Sequence, residues 1–169
     1  MWRLMLMYTV DEYVISKEVF ENMNRKVDYI TLDLDDRTEK AVSWVLYNLF
    51  RIRLECKGEV WKKDKKHYHI TIRLKNPIEF SKSVCLRLLL LDDPYRVKMD
   101  CIRYLYGNHE RINVLFKRKI KVLRMKKKVL FVWRKKEYKK IIEFEVLEDR
   151  MKIRFLDLKH VFGVLEHDR

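Results

Sequence analysis

Two pairs of polar residues have the type and spacing to do chemistry. Asp33 and Asp35 stand two apart in Tyr29-Ile30-Thr31-Leu32-Asp33-Leu34-Asp35. On an extended chain alternate residues leave the same face, so both carboxylates project together. Like charges so placed repel each other, and a divalent cation between them relieves the repulsion. Mg²⁺ or Mn²⁺ held by acidic side chains is the usual apparatus of phosphoryl transfer. His67 and His69 repeat the geometry in Lys66-His67-Tyr68-His69-Ile70-Thr71-Ile72. Two imidazoles on one face bind a metal, contact phosphate or exchange protons. Each pair also has a plainer reading. Asp33 can be a solvated strand residue, with Asp35 and Asp36 at the head of the next helix. The histidines can be exposed neighbours of a lysine-rich turn.

The flanking pattern says which elements must carry these residues. Asp28 to Asp35 alternates, with Ile30, Leu32 and Leu34 on one side and Tyr29, Thr31, Asp33 and Asp35 on the other, which marks a half-buried strand. Asp36 and Glu39 have capping-box spacing before Val42, Val45, Leu46, Leu49 and Phe50, a helical core stripe. Arg53 to Lys62 reads as a strand and Lys63-Asp64-Lys65-Lys66 as a turn. His67 to Leu74 alternates again, with Tyr68, Ile70, Ile72 and Leu74 inward and His67, His69, Thr71 and Arg73 outward. A helix is expected from Pro77 through Leu91, and another from Pro94 to Tyr106 with Asp93 as N-cap and Gly107 as stop. Ile112 to Phe116 is a further strand, and Val129 to Arg134, Ile141 to Leu147 and Met151 to Leu158 are later ones. Before all of these, Met1 to Val14 reads as a strand and Ser16 to Asn22 as a short helix.

The order β-α-β-β-α-β predicts an α+β protein with a ferredoxin-like, RNA-recognition-motif-like palm and a C-terminal β-rich extension. The expected divisions are an appendage over 1–24, the palm over 25–118 and a basic extension over 119–169. In that topology the first and third strands are central neighbours. The aspartate and histidine pairs then meet on the face that the helices leave open, beside Tyr29, Thr31, Thr71 and Arg73.

Leu32-Asp33-Leu34-Asp35 resembles the first motif of the archaeo-eukaryotic primase superfamily, and Lys66 to Ile72, a histidine opening an apolar strand, resembles its second. The resemblance covers roughly Asp28 to Leu74. It implies that Asp33 and Asp35 hold the catalytic Mg²⁺ or Mn²⁺, that His69 contacts the triphosphate of an incoming nucleotide, and that the reaction is metal-dependent nucleotidyl transfer. Asp157, or else Asp100, is the nearest match to the third acidic motif, and His67 and Lys66 replace the small residues that usually precede the family's histidine. His67-Tyr68-His69 also resembles the His-hydrophobic-His motif of rolling-circle replication initiators. That resemblance would make the two histidines metal ligands and Tyr95 (with Lys98 nearby), Tyr104 or Tyr106 the nucleophile that nicks DNA. A third reading is a nucleic-acid-binding module without catalysis.

Composition favours a polyanionic partner. The chain has 169 residues and a formal charge of +14. Of the 24 residues from Lys117 to Lys140, 13 are Lys or Arg and only Glu137 is acidic, with Phe131, Trp133 and Tyr138 interleaved. So many like charges in one stretch need a counter-charge, and basic residues beside aromatics suit a nucleic-acid backbone with stacked bases. The expected contacts are His67, Arg73, Lys117, Arg118, Lys119, Lys121, Arg124, Lys126, Lys127, Lys128, Arg134, Lys135 and Lys136, with DNA favoured over RNA. No membrane partner is expected, because no apolar run approaches about 20 residues. Cys56, Cys85 and Cys101 form no metal pattern and read as reduced thiols. With no signal-peptide pattern at the start, the expectation is a cytoplasmic replication protein of an archaeal or virus-infected cell. The absence of Gln and the 38% charged residues fit a hot habitat or a biased genome.

Overall fold

The structure is a computed structural model that describes residues 16–35, 37–113, 118–125, 128–135 and 138–156, and for 118–135 the backbone alone. Its elements are α1 (Lys17–Glu21), β1 (Lys26–Asp35), α2 (Glu39–Arg51), β2 (Cys56–Asp64), β3 (His67–Glu79), α3 (Phe80–Leu89), α4 (Pro94–Leu105), β4 (Arg118–Met125), β5 (Lys128–Lys135), β6 (Lys139–Val146) and β7 (Met151–Phe155). The class is α+β. A five-stranded antiparallel sheet runs β1-β3-β2-β6-β7, and β4 with β5 forms a separate two-stranded sheet. Among the described residues no helix is long and apolar enough to cross a membrane.

The period-two reading of β1 and β3 holds because one face of the sheet is core. Ile30, Leu32, Leu34, Tyr68, Ile70 and Ile72 are fully buried. Val60 joins them from β2, and Ile142, Phe144 and Val146 from β6. Helix α2 closes this layer with Ala41, Val42, Val45, Leu46 and Leu49. A one-residue slip of any strand would turn its apolar set to solvent, so burial itself fixes the register. Gly58 on β2 faces Phe144 on β6. A Cβ at Gly58 would collide with the Phe144 ring and with the Thr71 carbonyl oxygen, so the aromatic ring occupies the space that a side chain would need. A smaller cluster of Met23, Phe80, Val84, Val97 and Cys101 joins α3 and α4 to the start of β1.

Several boundaries differ from the sequence expectation. Helix α2 begins at Glu39 with Thr38 as N-cap, and no side chain caps it. Glu39 accepts from Lys62 Nζ at 2.7 Å and from the Tyr68 hydroxyl at 3.3 Å, tying the helix to the sheet, while Asp36, the other half of the expected capping box, lies outside the described residues. Phe50, expected in the core, is exposed, because the inward arc is already filled by Leu46 and Leu49. Strand β2 starts at Cys56 rather than Arg53, which sits in a turn at φ 52°. Pro77 does not start a helix. Strand β3 continues through it to pair Ile78 with Val27 and Glu79 with Lys26, and the register shifts between Val27 and Tyr29. Proline lacks the N–H a ladder needs, and an irregular stretch of strand accommodates it. Helix α3 ends at Leu89, short of Leu91 at φ 65°.

Helix α4 starts as expected, with the Asp93 side chain accepting from Tyr95 N–H and Pro94 in the first turn. Residues 112 and 113 are a turn rather than the start of a strand, and 114–117 lie outside the described residues. Among the described strands β1 lies at the edge of the sheet, not at its centre. In the C-terminal part β6 and β7 extend the main sheet, while β4 and β5 make a small second one. Strand β4 had no counterpart in the sequence reading, and β7 stops at Phe155. The expected strand over Met1 to Val14 and the acidic candidate Asp157 lie outside the described residues.

Candidate functional site

The register brings the two polar pairs together. Asp33 on β1 is the direct cross-strand partner of His69 on β3, and Asp35 is the partner of His67. His69 Nε2 lies 3.3 Å from Asp33 Oδ1, and His67 Nε2 lies 4.0 Å from Asp35 Oδ1. His67 Nδ1 is closer to a different acid, Asp64 Oδ1, at 2.6 Å. Asp64 also accepts from the Lys66 N–H across the β2–β3 turn. The His67 and Lys66 hydrogen bonds hold the Asp64 carboxyl below its usual range. The site therefore has a third carboxylate, and each imidazole is paired with acid.

The face is less open than the sequence implied. His69 is only 6% exposed and Thr31 only 2%. Tyr138, just before β6, stacks on His69 with ring centroids 3.9 Å apart and planes 21° from parallel. Burial, then the nearby charges of Asp33, Asp35 and Asp64, push the Tyr138 phenol well above its ordinary value, so it stays neutral and is a poor nucleophile. Trp61 on β2 is the partner of His69 on its other side, and Lys140 on β6 follows Trp61 in the same row. Lys140 Nζ lies 5.9 Å from the Trp61 ring centroid and bridges Glu59 at 3.0 Å and Glu143 at 2.7 Å. Arg73 is exposed, between Tyr29 and Lys57 in the register.

The outer edge of β1, where a further strand would otherwise pair, is occupied by side chains. Asp33 N–H donates to Asp92 Oδ1 at 2.7 Å, Arg96 Nη1 donates to the Thr31 carbonyl at 2.9 Å, and Asn113 Nδ2 donates to the Tyr29 carbonyl at 2.8 Å. Arg96 also donates to the Thr31 hydroxyl. Behind them runs a buried ion network. Arg87, fully buried, donates from Nε to Asp92 at 2.7 Å and from Nη1 to Asp100 at 2.8 Å, and Arg103 closes on Asp100 at 2.7 Å. Buried charges persist only when paired and hydrogen-bonded, and each of the three cations here donates to one of two carboxylates, while Arg87 Nη2 and Arg96 Nε have no hydrogen-bond partner among the described residues. Burial lowers the Arg96 pKa, opposed by Asp92. Asp100, considered above as an acidic-motif candidate, is committed to this network.

The other candidates fall as follows. Tyr104, partly buried, packs on Phe80 at 4.7 Å between centroids and its hydroxyl accepts from Arg25 N–H. Tyr95 and Tyr106 are exposed, and Lys98 Nζ lies 5.9 Å from the Tyr95 ring. Arg118, Lys119, Lys121 and Arg124 are on β4, and Lys128, Arg134 and Lys135 on β5. Their register sets Arg118 opposite Lys135 and Lys119 opposite Arg134. Lys117, Lys126, Lys127 and Lys136 lie outside the described residues.

The chain matches no protein-family model, no curated protein and no solved structure at a significant level. Asp33 and Asp35 supply the hard oxygen donors that Mg²⁺ and Mn²⁺ take. Yet among the described residues no three His, Cys, Asp or Glu side chains converge to hold a metal ion. The Asp33 side chain is 15% exposed, beside an imidazole that Tyr138 covers. The donor chemistry suits a hard cation.

Proposed function

We propose that the protein binds nucleic acid, with the basic ribbon β4–β5 as its principal contact. The observation that carries this reading is the register of that ribbon. Basic residues stand opposite basic residues at its open end, Arg118 with Lys135 and Lys119 with Arg134. Like charges directly opposite on a two-stranded sheet destabilise it, and a polyanion removes the penalty. A two-stranded ribbon also has the dimensions of a DNA major groove. The net charge of +14 adds long-range attraction for the same partner.

On this reading the Asp33–His69 and Asp35–His67 pairs hold β1 against β3 and support Tyr138, which directly precedes β6. A second reading is metal-dependent nucleotidyl transfer on a ferredoxin-like palm. It draws support from one observation, the cross-strand register that sets two carboxylates against two imidazoles on neighbouring strands. It would require Tyr138 to move off His69 and a cation and nucleotide to enter.

One experiment separates the readings. The full chain is incubated with labelled oligonucleotide, Mn²⁺ and nucleoside triphosphates. The expected result is a mobility shift without extension or covalent adduct. The ribbon holds seven Lys or Arg residues in β4 and β5. If all contact phosphates, log K should fall against log salt with a slope of up to about −6 on duplex. Asp33→Asn should leave the shift in place. Extension abolished by Asp33→Asn would overturn the binding-only reading in favour of the transferase. An adduct abolished by Tyr95→Phe would favour nicking.

A further inference from the structure

Helix α2 has a second ordered face. Its inward arc holds Val42, Val45 and Leu49. Directly opposite, at i, i+4, i+7 and i+11, stand Lys40, Trp44, Tyr47 and Arg51, all exposed. Trp44 is 46% exposed and Tyr47 58%, with Phe50 beside them at 40%. Large aromatic side chains are the residues with most to gain from burial. Three of them on the outward side of one helix, bracketed by cations, form a patch of the kind that marks an interaction site.

We propose that this stripe is a docking surface for the unpaired bases of single-stranded nucleic acid. The proposal rests on the nucleic-acid reading and names the form of nucleic acid the helix would take. Every base has a π-face, so Trp44 and Tyr47 stack on bases without regard to sequence, while Lys40 and Arg51 at the two ends meet phosphates. From Lys40 to Arg51 the helix rises about 16 Å, enough to run along several bases stacked about 3.4 Å apart. Local charge agrees. Arg37 is a further exposed cation beside the helix start, and the neighbouring acid, Glu39, is drawn to Lys62 at 2.7 Å.

Charge also argues against other occupants. A second copy of the chain would bring another +14 against a basic patch. A helix that lies in a membrane surface inserts a broad apolar face, whereas here the broad apolar face of α2 is core and the outward stripe contains no aliphatic residue.

The test uses the full chain, a labelled oligothymidylate, a duplex of equal length, and vesicles of phosphatidylserine and phosphatidylcholine. Trp44→Ala/Tyr47→Ala is compared with Trp44→Phe/Tyr47→Phe. Thermal melting checks that both fold, as expected of exposed positions. The expected result is that the alanine pair binds oligothymidylate at least tenfold more weakly, binds duplex within twofold of the parent, and that the phenylalanine pair keeps most of the affinity. If the parent binds oligothymidylate and the alanine pair binds it equally, the inference is overturned while the nucleic-acid reading stands. If the parent binds neither nucleic acid, both fall. Vesicle binding or self-association that the alanine pair alone loses, with oligothymidylate affinity unchanged, would assign the stripe to a membrane or to a dimer and overturn the inference.

Discussion

Replacing Asp92 by asparagine tests whether the buried ion network holds the edge of β1. Asp92 Oδ1 accepts from the Asp33 N–H at 2.7 Å, the Asp93 N–H at 3.0 Å and Arg96 at 2.8 Å, and Oδ2 accepts from Arg87 Nε at 2.7 Å. The Asp92→Asn side chain would keep one acceptor oxygen and present an NH₂ group where the other oxygen was. At least one donor would then face a donor, and two buried guanidinium groups would be left with Asp100 as their nearest carboxylate. Removing one partner from a buried charge pair costs about 3–5 kcal/mol, because the remaining charge stays desolvated. Against a total stability of about 5–15 kcal/mol this is a large fraction. With a urea m-value of about 2 kcal/mol/M, the midpoint should fall by about 1.5–2.5 M. Equilibrium urea unfolding followed by far-UV circular dichroism measures it. A fall below about 0.5 M with an unchanged m-value would refute the reasoning and show that the network is dispensable for stability. The same variant should loosen the Asp33 amide, which is read by faster hydrogen exchange at that position.

Three further outcomes are expected. Gly58→Ala should lower the melting temperature. Strand propensity alone favours alanine by about 0.5–1 kcal/mol, but the new Cβ would press into the Thr71 carbonyl oxygen and the Phe144 ring, and overpacking of that kind costs about 1–3 kcal/mol; an unchanged or raised melting temperature would refute the contact. Burial pushes the Cys56 and Cys101 thiols up to about 12 and raises Cys85 as well, so the native protein at pH 8 should react slowly with Ellman's reagent and release all three equivalents only on unfolding. Rapid native labelling of two or more thiols would contradict this. Glu143 and Glu145 titrate below their ordinary value, chiefly through hydrogen bonds from Lys140 and Lys57. Their contribution is therefore present above about pH 4.5 and is lost as the pH falls through the lower folded value. Being only half-buried, each is worth little and should fade with salt. The Glu143→Gln/Glu145→Gln variant should flatten the decline of melting temperature between pH 5 and 3, and an unaltered decline would count against the ion-pair ladder.

Local chemistry made much of this molecule readable in advance. Alternation set which side of β1 and β3 carries Asp33, Asp35, His67 and His69, since one face had to be apolar. Asp93-Pro94 announced the start of α4. The outward Trp44–Tyr47 stripe was not read from the sequence, where the helix was described only by its apolar core positions.

Contacts between distant segments were not legible. Arg87 meets Asp92 and Asp100 only because α3 and α4 fold back on each other. Tyr138 reaches His69 from 69 residues away along the chain, and nothing near either residue announces it. Residue types and short periods thus determined which side chains share a face, because a strand or helix imposes that locally. Tertiary structure alone decided that β1 lies at an edge sealed by Asp92, Arg96 and Asn113, and that an aromatic ring lies over the acid–imidazole pair. Those outcomes depend on how much apolar surface and buried charge the whole chain can satisfy at once.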